Sequence, residues 1–544
     1  MKNKFIILAT LAIGFAGCEP EFENEVNADY TAGEANFSSY VSIGNSLTAG
    51  YMDGTVSKGG QMYSYPNLLA QQFALVGGGI FTQPSYEDDV NNRGGLMLGG
   101  VPLPGFGTRL VIDASQGVPE PIAGVTTIEV SNLQKSAYNN MGVPGAKSFH
   151  LLASGYGNVA GVTLGLANPY FVRHARTSDA TVLGDAMSKA PTFFTNWIGN
   201  NDVLSYATSG GTGADHNVTG NTNPATYGGN DITNVTTFAN VYGTIVNTLT
   251  SNGAKGVVCT IPSVTSIPFF TTVPSNPLTA KALGAQLVPA GSSEAVQIQA
   301  GTAAISQLNA QLYGPLKQAL TAFGAGDRIN LLNANIANPL LIKDETLTNL
   351  SAQLTAAFTP SLGATTAAFY GNIFGQARQA KFTDRVLLTT RLAIGAAPTA
   401  ANSGIGMAPP SPLDKFGITY PLQDQHLLIP SELTAIANAT NAYNASIKSI
   451  AASKNLAVAD MNVIMNSLIS GLRVDSGQVY TANYFSGTTT ESKVLFSLDG
   501  VHPNARGYAV IANEIIKVIN AKYKSNLPLH VPSYFPGINI VGSN

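Results

Sequence analysis

The chain has 544 residues, of which 44% are hydrophobic and 11% are charged, and its formal net charge is -3 at pH 7. This composition excludes an intrinsically disordered chain and supplies enough apolar side chains for one large domain or for two or three ordinary ones. The near-neutral charge provides no basic stripe for binding nucleic acid.

The first eighteen residues have the pattern of a bacterial lipoprotein signal. Lys2 and Lys4 precede an apolar run at 5–16 that is too short to span a bilayer. The run leads into Phe-Ala-Gly-Cys, which resembles a lipobox with phenylalanine where leucine is usual. The pattern predicts that Cys18 is lipidated and that its acyl chains anchor the protein to a bacterial outer membrane. An ordinary secretory signal with an incidental cysteine is the alternative.

The residues that follow Cys18 predict where the anchored protein faces. Residues 19–36 contain five acidic side chains between positions 19 and 29 and resemble the tethers of surface-exported lipoproteins. We therefore expect the protein to lie on the cell surface, with the periplasmic face as the alternative. The second cysteine, Cys259, lies in the apolar run GVVCTIP and is predicted to be a buried small hydrophobic residue. No apolar run after residue 18 is long enough for a membrane helix.

Strand and helix patterns alternate along the rest of the chain. Predicted strands lie at 37–44 and 189–202, a predicted helix at 65–76, helix-turn-strand units at 236–262 and 432–462, and a closing helix at 504–523. The stretch 77–135 is rich in glycine and proline, and 203–235 is predicted to be a polar loop. The alternation predicts a three-layer α/β/α sandwich with a central parallel sheet.

Residues 265–423 interrupt this alternation. They contain a helical pattern at 301–324 within alanine-, threonine- and proline-rich connections. We interpret them as one long, partly helical insertion that separates a first core part, 37–264, from a second, 424–523, with a tail at 524–544.

The turn Gly44-Asn45-Ser46-Leu47 follows the first predicted strand. A serine hydroxyl becomes a nucleophile only when a base accepts its proton and a third group orients the base. Taken alone, Ser46 is better explained as a helix N-cap than as a nucleophile.

Candidate partners for Ser46 lie near the end of the chain, where Asp499 precedes His502 by three residues. This spacing lets the carboxylate reach one imidazole nitrogen while the other nitrogen faces Ser46. The competing interpretation is an ordinary Asp-Gly turn with an exposed histidine.

Two further segments carry groups suited to binding an oxyanion. YNNMGVPGAKS contains Gly142 and Gly145, whose backbone amides can approach a substrate without a Cβ in the way. WIGNND ends a predicted strand and presents Asn201, whose side-chain amide can donate a hydrogen bond. A second Gly-x-Asn-Asp match contains Asn230, but no strand precedes it, so we assign it to the loop.

In chain order, these four segments resemble the SGNH (GDSL-like) hydrolase family. The resemblance covers about half the chain and implies an SGNH/flavodoxin-like hydrolase core. It implies that Ser46 is the nucleophile and one oxyanion donor, that Gly142 and Asn201 are the other donors, that His502 is the base and that Asp499 orients it. It implies no metal or organic cofactor. Asn45 stands where the family usually has aspartate.

The family resemblance implies an ester substrate, either an acetylated glycan or a lipid, and fold alone does not choose between them. A second hypothesis belongs to another class: a catalytically weak or inactive lipoprotein that acts as a binding module or as a subunit of an outer-membrane protein complex. The long insertion and Asn45 motivate this alternative.

Overall fold

The computed structural model describes residues 29–115, 117–474, 477–481 and 493–542, so the predicted signal, Cys18 and the acidic start of the tether lie outside the described residues. Its centre is a five-stranded parallel sheet. We label these strands β1 (Tyr40–Gly44), β2 (Asn140–Gly142), β3 (Phe193–Trp197), β4 (Lys255–Cys259) and β5 (Ala457–Ala459). Their order in the sheet is β2-β1-β3-β4-β5.

Helices pack on both faces of this sheet. We label those used below α1 (Ser46–Ala49), α2 (Tyr65–Ala74), α3 (Asn201–Thr208), α4 (Val235–Leu249), α5 (Pro430–Ser453), α6 (Met461–Ser470) and α7 (Ala505–Tyr523). On one face, Ile43 and Phe194 share a core with α4 and α5. On the other, Phe193 and Cys259 share a core with α2 and α7. The predicted mixed α/β fold with a central parallel sheet is therefore confirmed, as is the burial of Cys259.

The strand order reverses direction between β1 and β3. In open α/β sheets, ligands bind outside the carboxyl ends of the strands at such a switch point. Ser46 follows β1 and Asn201 follows β3, so the topology brings these two distant segments to the same edge of the sheet.

The interrupting segment has a hydrophobic core of its own, which extends from Val273 to Ile429. Its main helices are Ala280–Ala285, Glu294–Leu308, Gly314–Ala322, Ser351–Leu362 and Ala364–Phe374, with a π-helical turn at Asn309–Tyr313. Two antiparallel strand pairs complete it: Leu341–Lys343 with Ala377–Gln379, and Arg385–Val386 with Leu427–Leu428. The predicted helical pattern at 301–324 is confirmed, whereas the domain boundaries remain predictions.

Short elements fill several stretches that carry weak sequence signals. The short helices are Lys58–Met62, Pro169–Val172, Val182–Met187, His216–Thr219 and Pro268–Thr271. The short strands are Met97–Leu98, Val101–Pro102, Leu110–Asp113, Pro119–Pro121, Leu472–Arg473, Val479–Tyr480 and Ile540–Val541. Within the described ranges, no helix is both long and apolar enough to cross a membrane.

The prediction of a loop at 203–235 is wrong for its first residues, because α3 continues to Thr208. Val203, Tyr206 and Ala207 lie at helical spacing and are buried against the sheet. The polar residues that open this helix resemble loop sequence, and tertiary packing overrides that signal.

Candidate active site

Ser46, His502 and Asp499 form a continuous chain of hydrogen bonds. The Nε2 atom of His502 lies 2.8 Å from Ser46 Oγ, and its Nδ1 atom lies 2.9 Å from Asp499 Oδ2. The predicted contacts are present, although Ser46 and His502 are 456 residues apart. With the carboxylate on Nδ1, the neutral imidazole carries its proton there and leaves Nε2 free to accept the serine proton.

The turn before Ser46 is held by the side chain of Asn45. Asn45 Oδ1 accepts a hydrogen bond from the Leu47 N–H at 3.1 Å and so caps α1. Its Nδ2 atom is buried and has no hydrogen-bond partner in the described part of the chain. Asparagine therefore supplies the acceptor that the turn needs, but it leaves one buried donor unsatisfied.

The Asp499 carboxylate is oriented by backbone donors from two directions. Its Oδ1 atom accepts the N–H groups of Val501 and His502, both at 2.8 Å, and its Oδ2 atom accepts the Gly54 N–H at 3.1 Å. Burial alone would raise the pKa of Asp499, but the positive charge of protonated His502 and these hydrogen bonds outweigh it and hold the pKa below its usual value. Asp499 is thus kept ionised beside His502.

Asp53 ties the segment after α1 to the loop that carries Asp499. Its N–H donates to Ser497 Oγ at 3.0 Å, and its Oδ1 atom accepts the Leu498 N–H at 2.9 Å. Burial raises the pKa of the Asp53 carboxyl to about 7, a shift that the Leu498 hydrogen bond partly offsets. Asp53 has no distinguishing signal in the sequence, because Asp53-Gly54 has the composition of an ordinary turn.

The raised pKa of Asp53 predicts a pH-dependent contribution to stability. Between its usual pKa of 3.8 and about 7, this carboxyl is protonated in the folded protein and ionised in the unfolded chain. The folded state binds the extra proton, so we expect the contribution of Asp53 to the free energy of unfolding to decline as the pH rises through this window, by about 4 kcal/mol. Asp53→Asn keeps the amide oxygen as acceptor and should remove this decline.

Urea unfolding of both proteins across that pH window measures the effect. Asp327→Asn, which neutralises an exposed carboxylate in the insertion, is the control and should unfold with the wild-type pH dependence. Parallel pH profiles for the wild type and Asp53→Asn would show that Asp53 is ionised in the folded protein.

The imidazole of His502 is also packed against an aromatic ring. The ring centroids of Tyr51 and His502 are 4.5 Å apart at an interplanar angle of 42°. The backbone carbonyl of Tyr51 accepts the Tyr508 hydroxyl of α7 at 2.7 Å, and the Tyr51 hydroxyl donates to the Gly54 carbonyl. These contacts fix the imidazole in the orientation that both of its hydrogen bonds require.

Gly142 does not offer the free N–H predicted for it. This residue is the last of β2 and pairs with Gly44, and its N–H donates to Asn140 Oδ1 at 3.0 Å. A Cβ at Gly142 would lie 2.3 Å from the Ala49 nitrogen, so the glycine is explained by close packing of α1 on the sheet. The assignment of Gly142 as an oxyanion donor is therefore corrected.

Gly145, in the same segment, has the properties that the prediction gave to Gly142. It is exposed, has a φ of +78°, and its N–H donates to no acceptor among the described residues. The carbonyl of the next residue, Ala146, accepts Asn201 Nδ2 at 3.0 Å, which places the turn beside the start of α3. Gly145 is the better candidate for the second backbone donor.

Asn201 lies at the carboxyl edge of the sheet and lines the same pocket as Ser46 and His502. One hydrogen of its Nδ2 group is used by Ala146, and the second remains for a ligand. The adjacent Asp202 accepts both the N–H and the hydroxyl of Ser148 at 2.7 Å, so it fixes the turn after β2. The backbone N–H of Ser46 donates to no acceptor in the described part of the chain.

The alternative match, Asn230, lies in an exposed turn and contacts Thr212 Oγ1 at 3.2 Å, as expected for a loop residue. Several other histidines hold loops: His216 contacts Asp231 at 2.7 Å, and His150 and His426 accept backbone N–H groups. Within the described ranges, no three His, Cys, Asp or Glu side chains form a group able to hold a metal ion.

Comparison with known proteins gives no relative. No protein-family model matches the chain, and no curated protein or solved structure was found to match it.

Proposed function

We propose that this protein is a serine ester hydrolase of the SGNH (GDSL-like) type. The hydrogen-bond chain Asp499–His502–Ser46 is the observation that carries the proposal. The three groups stand in the order that an activated serine requires: an ionised orienting carboxylate, an imidazole with a free nitrogen, and a hydroxyl within its reach. The resemblance in motif order and the switch-point position of the site support the same reaction class.

In the proposed reaction, Ser46 Oγ attacks the ester carbonyl carbon while His502 Nε2 accepts the hydroxyl proton. The oxyanion that forms is bound by the backbone N–H of Ser46, the N–H of Gly145 and the side-chain amide of Asn201. The bond to the alcohol oxygen then breaks, and His502 returns the proton to the leaving alcohol. Water, deprotonated by His502, hydrolyses the acyl-enzyme and releases the carboxylic acid.

A non-catalytic binding role would not need His502 to bridge Ser46 and Asp499 at these distances, so the geometry favours the enzyme. Turnover of p-nitrophenyl esters by the full chain in detergent tests the choice. Ester hydrolysis that depends on Ser46 supports the proposal. A folded protein that hydrolyses no ester, yet co-purifies with an outer-membrane protein, would favour the binding subunit.

We also propose that lipidated Cys18 anchors the protein to the outer membrane with the hydrolase at the cell surface. In bacteria supplied with labelled palmitate, the full chain is expected to incorporate the label and Cys18→Ala to lose it. Cys259→Ala, which alters the buried cysteine, is the control and should stay labelled. Equal labelling of Cys18→Ala and the wild type would contradict the anchor.

A further inference from the structure

An apolar pocket opens directly beside the reacting groups. It encloses about 80 Å³, and Ser46, Asn201 and His502 line it. One water-sized group needs about 10–15 Å³ of such space, so the pocket has room for several methylene groups of a chain. Any substrate whose carbonyl reaches Ser46 therefore has this cavity next to its carbonyl carbon.

Helix α6 forms one wall of the pocket with a stripe of large, flexible apolar side chains at helical spacing: Met461, Ile464, Met465 and Leu468. Such a stripe ordinarily packs against a core. Here Ile464 and Met465 remain only half-buried, so part of the stripe faces the cavity. Helices α1, α3 and α7 supply further apolar side chains, including Leu47, Leu204 and Val510.

The polar groups in this lining are those of the catalytic site, its flanking asparagines and the indole N–H of Trp197. No Asp, Glu, Lys, Arg or Tyr is among the described residues that line the pocket. A sugar would leave most of its hydroxyl groups without partners against such walls, which is costly because buried polar groups need hydrogen bonds. A hydrocarbon chain has no hydrogen bonds to lose in this pocket, and the burial of its apolar surface favours binding.

We propose that this pocket binds the acyl chain of the substrate, so that the protein hydrolyses esters of fatty acids longer than butyrate in preference to acetyl esters. This inference rests on the proposed function, because it assigns the acyl side of the same site. It selects the lipid class of ester over the acetylated glycan.

The test compares kcat/KM for p-nitrophenyl acetate, butyrate, octanoate and palmitate, which share one leaving group. Each buried methylene is worth about fourfold in an equilibrium constant, so we expect octanoate to exceed acetate by at least about tenfold. Met465→Trp fills the pocket and is expected to lower the octanoate-to-acetate ratio by at least about tenfold. The control, Val463→Trp, lies on the outer face of α6, where Val463 is 57% exposed, and should keep the wild-type ratio.

A second measurement needs no pocket variant. The rate at which methyl and octyl p-nitrophenyl phosphonates inactivate the wild-type protein should favour the octyl compound. Acetate hydrolysis that requires Ser46 but shows no preference for octanoate would overturn the inference and leave the proposed function intact. No turnover of any ester, together with no phosphonate bound to Ser46, would overturn both.

Discussion

Replacing Ser46 by alanine is expected to lower kcat for ester hydrolysis by about 10⁴- to 10⁶-fold, because the acyl-enzyme cannot form without the hydroxyl. His502→Ala should cost nearly as much, since an unactivated serine is a poor nucleophile. The double variant should be no slower than either single variant, because the two groups act as a unit. Steady-state rates on a p-nitrophenyl ester, with each variant's folding checked by thermal unfolding, measure these effects.

Ser251→Ala, which removes an exposed hydroxyl from a loop, is the matched control and should keep the wild-type rate. If the double variant loses as much activity as the two single variants combined, Ser46 and His502 do not act on the same step. Retention of the wild-type rate in Ser46→Ala would place the reaction elsewhere in the protein.

Asp499→Asn is expected to lower kcat by about 10³- to 10⁴-fold with little effect on the fold. The asparagine can keep Oδ1 as the acceptor for the Val501 and His502 N–H groups, and among the backbone contacts it loses only the acceptor for the Gly54 N–H. Its amide facing His502 would donate to Nδ1 and force the proton onto Nε2, the nitrogen that must accept the proton of Ser46. The charge that stabilises the imidazolium is also lost.

The kinetic comparison should be made with Asp327→Asn, the exposed-carboxylate control, and with thermal unfolding of both variants. A loss of less than about tenfold in Asp499→Asn would show that His502 is oriented by its packing against Tyr51 and by its other contacts rather than by the carboxylate. Since Asp499 is partly buried and its pKa is held below the usual value beside His502, we expect the larger loss.

The sequence predicts the local parts of this site well. Asp499 precedes His502 by three positions, so their contact depends on one loop and can be read from spacing alone. Ser46 and Asn201 each follow a buried strand, and parallel strands place their carboxyl ends at one edge of the sheet. The order of strands within the sheet could not be read from periodicity, and the switch point was known only from the structure.

The errors arise where a residue's role depends on packing between distant segments. Gly142 and Gly145 both suit a backbone donor, and only the three-residue strand β2, formed by pairing with β1, decides which of them is enclosed. Asp53 resembles any turn aspartate until its partners Ser497 and Leu498, more than 440 residues away, are known.

The apolar spacing in α6 was present in the sequence but lay just after the helix-turn-strand unit predicted to end at 462. Residues 461–468 repeat apolar side chains at intervals of three and four, which indicates a helix. Part of this stripe faces a cavity beside Ser46. The tertiary structure shows this position, and the periodicity of the sequence does not indicate it.

Intact-mass analysis of the full chain after reaction with a fluorophosphonate tests the central claim most directly, because only an activated serine displaces the fluoride at an appreciable rate. We expect one phosphonyl adduct per chain, located on Ser46 by peptide mapping and absent from Ser46→Ala and His502→Ala. A folded wild-type protein that stays unlabelled, or that carries its label on another serine, would contradict it.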